Sequence, residues 1–167
     1  VEVTPLYKGC VFENRPMTTV NHPIKFVYAG NLLFGRLDTL ACLADCLESL
    51  NCNGLVATLD IYSGTIIPEA DQARLTRGRS SRFRGEIGYS EVKQKLAEAD
   101  VVLHVESFEA EQIKRVRFSF STKIMDCLQS GSVMLAIGPM GISSIEYTRK
   151  IAGAVVIDDL QKLREAI

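Results

Sequence analysis

Five runs in this chain, 24–29, 55–62, 101–105, 133–137 and 154–157, are too uniformly apolar to alternate between a core face and a wet face. Strands of that kind are buried on both sides. The segments between them read as helices. In 37–50, Leu40, Leu43, Leu47 and Leu50 recur at intervals of three and four, the stripe of a core-facing helix. Segment 68–75 opens on Pro68 and acidic residues. Ser90 is placed to cap a helix through 99, with Glu91 in its first turn. Ser143 and Glu146 have capping-box spacing, and Asp158 opens a terminal helix. A shorter strand fits 79–84, around Phe83. Strands alternating with helices predict an α/β, doubly wound parallel sheet, Rossmann-like, with helices on both faces. In such sheets ligands sit beyond the carboxyl ends of the strands, where the strand order reverses. Gly30, Glu106 and Gly138 all lie just past strand ends and are expected to converge there.

At 167 residues, 47% of them hydrophobic, the chain has material for one substantial core. Its formal net charge of -1, with acids and bases interspersed, makes no case for nucleic acid or an anionic membrane surface. The five cysteines form no C-x-x-C pair and have no nearby histidine, so no metal is expected. Reduced thiols fit best, with Cys42 and Cys46 as small buried core residues. No apolar run approaches the roughly 20 residues of a membrane span, and the first residues lack a signal-peptide pattern. The expectation is a cytoplasmic domain, the full-length protein at most peripheral at the cytoplasmic face of the membrane. Residues 1–23 are irregular, with Pro5, Pro16 and Pro23, and read as a linker from a missing amino-terminal domain; 24–167 form the folded domain.

The segment Phe118 to Pro139, FSFSTKIMDCLQSGSVMLAIGP, reads as loop, helix and strand, with the helix closed by Gly131. The first turn of a helix leaves N–H groups unpaired and carries the positive end of the helix dipole, which attracts phosphate. Ser121 and Thr122 add hydroxyls there and Lys123 a full charge, while Asp126, one turn on, is within reach of a ribose hydroxyl. Gly30 to Gly35, GNLLFG, has P-loop glycine spacing, but Arg36 and Leu37 stand where a lysine and a magnesium-holding hydroxyl belong. Gly30 and Asn31 form either a plain turn or a close approach to a diphosphate, with Arg36 as charge partner. Arg84, Gly85 and Ile87 either receive a flat base or simply end a strand. Lys114, Arg115 and Arg117, in a polar loop over 106–119, clamp phosphate or remain solvated, and the arginines from Arg74 to Arg84 read as a solvated face. His104 fits a hydrogen-bonded core position better than a catalytic base. No nucleophile and base stand at readable spacing, so the catalytic residues are unknown.

The stretches KFVYAGNL, FRGEIGYSEVKQKLAEADVVLHVES and STKIMDCLQSGSVMLAIGP, in that order from Lys25 onward, resemble the carboxyl-terminal, donor-binding domain of GT-B fold glycosyltransferases of the large family 4. That group, also described as glycosyl transferases group 1, builds bacterial polysaccharides and glycolipids. The resemblance implies one domain of a two-domain enzyme that binds a nucleoside diphosphate sugar and transfers the sugar to a glycan or lipid-linked acceptor held by the missing domain. It implies no cofactor and no metal. It also implies that Gly30 approaches the diphosphate, that the loop from Arg84 through Ile87 meets the base, that Ser121, Thr122 and Lys123 meet the phosphates, and that Asp126 holds the ribose. Many members carry a glutamate eight positions before that ribose acid, where this chain has Phe118; Glu106 or Glu109 substitutes only by a different path. A flavodoxin-like receiver module would need acids after the first strand, and a nucleotide-sugar epimerase would need the G-x-G-x-x-G turn; neither is present.

Overall fold

The computed structural model describes residues 19–167; residues 1–18, with Cys10 and most of the expected linker, lie outside the described residues. The element order is β1 (Ile24–Ala29), α1 (Arg36–Leu50), β2 (Ala57–Tyr62), α2 (Glu69–Leu75), β3 (Ser81–Gly85), α3 (Tyr89–Ala97), β4 (Val101–Val105), α4 (Ala110–Val116), α5 (Lys123–Ser130), β5 (Val133–Ile137), α6 (Ser143–Thr148), β6 (Val155–Ile157) and α7 (Leu163–Ala166). The six strands form one sheet in the order β3-β2-β1-β4-β5-β6, parallel throughout. The order reverses between β1 and β4, so the crevice expected of a doubly wound sheet opens beyond Ala29 and Val105.

Successive strand residues serve opposite faces. In β1, Phe26 and Tyr28 pack with Leu40, Leu43 and Leu47 of α1 and Leu75 of α2, while Val27 packs on the other face with Leu96 of α3 and Ile124 and Cys127 of α5. Each leucine or isoleucine buried this completely contributes about 1.5–3 kcal/mol relative to an exposed one. The Leu stripe of α1 ends at Leu47, because Leu50 at the helix terminus is exposed.

Local readings needed correction. The loop expected over 106–119 contains α4, a helix whose sequence AEQIKRV buries only Val116. Ser90 does not cap α3, which begins at Tyr89 after Gly88. Ser143 forms no capping box: it is the first residue of α6, and its hydroxyl donates to the Arg117 carbonyl at 2.8 Å. Cys42 is exposed and Cys46 half-buried rather than core, and the described cysteines are free thiols. No described helix is long and apolar enough to cross a membrane.

Candidate functional site

The loops after β1, β2, β3 and β4 meet at the switch point. Main-chain bonds carry the sheet order into them: Gly30 donates to Tyr62 at 3.0 Å, Ser63 to Gly85 at 2.9 Å, and Glu106 to Ile137 at 2.8 Å. Gly138 packs against Glu106, where a side chain on Gly138 would come within 3.0 Å of the Glu106 Cβ, whereas Gly30 lies against Lys123 and Tyr28.

Two clefts open here, one on each side of Lys123. The first, of about 230 Å³, is lined by Gly30, Gly64, Glu86, Ile87, Lys123 and Asp126, among others. The second, of about 310 Å³, is bordered by Asn31, Arg36, Glu106, Ser121, Thr122 and again Lys123. Helix α5 delivers Lys123 as its first residue and Asp126 one turn later, and it closes at Gly131 with φ 77°, the left-handed geometry a glycine accepts without strain. Thr122 is the N-cap but makes no capping bond. The amides of Ile124 and Met125 turn back onto the carbonyls of Ser121 and Thr122, at 3.3 and 3.2 Å. The positive character of this entrance therefore comes chiefly from the Lys123 ammonium and less from free amides.

That ammonium is half-buried and has no carboxylate within ion-pair distance among the described residues. Burial, and behind it the Arg36 guanidinium, pull its pKa below the ordinary lysine value, against the opposing pull of Glu106. The residue beneath it has to be small: a Cβ on Gly30 would lie 2.5 Å from the Lys123 Nζ and 2.8 Å from the Tyr28 hydroxyl. Tyr28 is buried under the turn and donates to the Asn31 carbonyl at 2.6 Å.

Arg36 is disposed differently. Its Nε and Nη2 hold both carboxylate oxygens of Glu106 at 3.1 and 3.0 Å, Nε also reaches the Val105 carbonyl at 3.2 Å, and Nη1 donates to the Asn31 side chain at 2.6 Å. The side chains of this pair are only 13% and 3% exposed, and Thr39 donates to the Glu106 carbonyl at 3.0 Å. His104 is a core histidine, bonded to Ser144 at 2.9 Å and pushed down to about 3 by burial, then by Arg36 and Lys123, so it is neutral.

Of the other residues singled out from sequence, Ile87 lines the first cleft and Asp126 faces it while accepting a bond from Tyr89 at 3.2 Å. The Arg84 guanidinium is turned to Asp60, at 2.7 Å, and Gly85 ends β3 with φ 76°. In the basic segment, Lys114 pairs with Glu111, Arg117 stacks over Phe118 at 4.3 Å, and Arg115 borders the second cleft. Phe118 is 80% exposed, and Glu109 is the N-cap of α4. Arg74, Arg77 and Arg84 are paired to aspartates rather than merely solvated. The sequence reading passed over Tyr28, Tyr62, Ser63 and Gly64, and named Glu86 only within the loop from Arg84 through Ile87. The rule that ligands gather past strand ends would have flagged Ser63 and Gly64, directly after β2. No described group of three His, Cys, Asp or Glu residues could hold a metal ion.

No family model and no curated protein matches the chain. Among solved structures it is similar to a chain in the crystal structure of the GtfA/B complex, with a TM-score of 0.58 and 14% identity over 88% of this chain. The match covers 29% of that longer chain. At this identity the likeness is one of fold, and it is a like arrangement of the α/β sheet that the two share.

Proposed function

We propose that this domain binds a nucleoside diphosphate sugar and forms the donor half of a glycosyltransferase that passes the sugar to a glycan or lipid-linked acceptor. The observation that carries the reading is Lys123, an ammonium drawn out of water at the switch point, left without a carboxylate and seated on a glycine. A half-buried cation without a partner is a cost that an anion removes. Asp126 stands one helical turn along the same cleft, and the reading places the ribose there. The likeness in fold to a chain of the GtfA/B complex and the resemblance of the three sequence stretches to donor-binding domains support the same reading.

In this reading the diphosphate lies against Gly30 and Lys123, the nucleoside fills the first cleft, and the sugar projects into the second, beside Ser121, Thr122 and Arg36. Charge builds on the departing diphosphate as the glycosidic bond breaks, and fixed positive groups at that point lower the barrier more than they tighten substrate binding. Lys123 supplies that charge directly. Arg36, whose charge Glu106 already meets, holds the turn after β1 and the loop after β4 in place beside it, and the reading calls for no metal. The test is thermal unfolding of the chain with UDP-, GDP- and ADP-sugars. A ligand at a hundred times its Kd adds about 2.7 kcal/mol, so one nucleotide group should raise the Tm by several degrees. Were none to do so, the proposal would fail.

A further inference from the structure

We infer that the nucleotide this cleft selects is a guanosine diphosphate, read through the carboxylate of Glu86. This inference rests on the nucleotide-sugar reading of the same cleft. Glu86 follows β3 directly and lines the first cleft at the end away from the second, together with Ile87, Tyr62 and Val92, which provide an apolar wall for a flat ring. Its carboxylate lies over Gly64: a Cβ at that position would come 3.0 Å from both Cδ and Oε1 of Glu86. Gly64 has no left-handed backbone requiring glycine, and the space beside it is taken up by the Glu86 carboxylate. Glu86 is exposed at the cleft and, among the described residues, has no ion pair or hydrogen bond, and the neighbouring Arg84 is engaged by Asp60.

An ionised carboxylate only accepts, through two oxygens side by side. Guanine is the base whose Watson–Crick edge offers two adjacent donors to match, N1–H and the 2-amino group, giving a charge-assisted bidentate contact. Uracil presents one N–H between two carbonyl oxygens. Adenine and cytosine each place a ring acceptor beside their amino donor. All three would set a lone pair against the carboxylate, a repulsion that guanine does not meet.

Calorimetric titration of the 167-residue chain with GDP, IDP, UDP and ADP tests this. GDP should bind at least about tenfold more tightly than UDP or ADP, and IDP, which lacks the 2-amino group, should fall about tenfold below GDP, the effect of one hydrogen bond to a charged group. Glu86→Gln should bring GDP, IDP and UDP close together, and Gly64→Ala, which displaces the carboxylate without removing it, should do so in part. Equal affinity for UDP and GDP, or an unchanged preference in Glu86→Gln, overturns the guanine assignment and leaves the donor-site reading standing. Absence of binding by every nucleoside diphosphate overturns both.

Discussion

Two cations border the switch point, and the fold treats them in opposite ways. Arg36 is held by both oxygens of Glu106, the Val105 carbonyl and Asn31, whereas Lys123, between the two clefts, has no carboxylate partner among the described residues. Both are partly withdrawn from bulk water, where an isolated charge becomes costly. The contrast separates architecture from function. A charge whose partner is built in holds the loops after β1 and β4 together, and a charge left open is reserved for something that arrives.

The comparison is broken most severely by Glu106→Gln. It leaves Arg36 buried without its carboxylate, a change expected to cost about 3–5 kcal/mol in urea denaturation. Adding Arg36→Met to Glu106→Gln should recover most of that loss, since an apolar pair of similar volume replaces buried ions at little cost. Lys123→Met should do the reverse. The urea midpoint should stay level or rise, while affinity for a nucleoside diphosphate falls by about 10- to 100-fold, the range for a hydrogen bond to a charged group.

Gly30→Ala sharpens the contrast by pressing on the lysine from below. Its methyl meets Nζ at 2.5 Å and the buried Tyr28 hydroxyl at 2.8 Å. The lysine can retreat and the tyrosine cannot, so stability should drop by about 1–3 kcal/mol, with a smaller loss of nucleotide affinity than in Lys123→Met. The pH dependence is expected to be the smallest effect. The Lys123 pKa is lowered in the folded protein, and a bound anion favours the protonated form. Affinity should therefore decline as pH rises through that lowered value, starting below the range where an ordinary lysine titrates, and Lys123→Met should flatten the profile.

The strands that frame this site were legible because their signals are local. The bounds of β1, β4 and β5 match their apolar runs residue for residue, and the parallel doubly wound sheet follows from them. Helix α4 was hidden because AEQIKRV lies on the surface and carries almost no apolar period. The caps assigned to Ser90 and Ser143 failed because side-chain spacing is a weak guide where a hydroxyl finds another carbonyl, as Ser143 does at Arg117. Within the site, Lys123 and Asp126 could be placed from one short motif. The partnership of Arg36 with Glu106 spans 70 positions and joins two loops, so nothing near either residue announces it. The same is true of Gly64 beneath Glu86, where the close neighbour is a side chain from another strand end.

The central claim, that the Lys123 ammonium awaits a diphosphate, is tested most directly by calorimetry of GDP binding at alkaline pH in buffers of different ionisation enthalpy. Wild-type protein should take up protons on binding, because the anion restores the lysine pKa, and Lys123→Met should lose both the uptake and most of the affinity. Tight binding without proton uptake, or the same uptake in Lys123→Met, would contradict it.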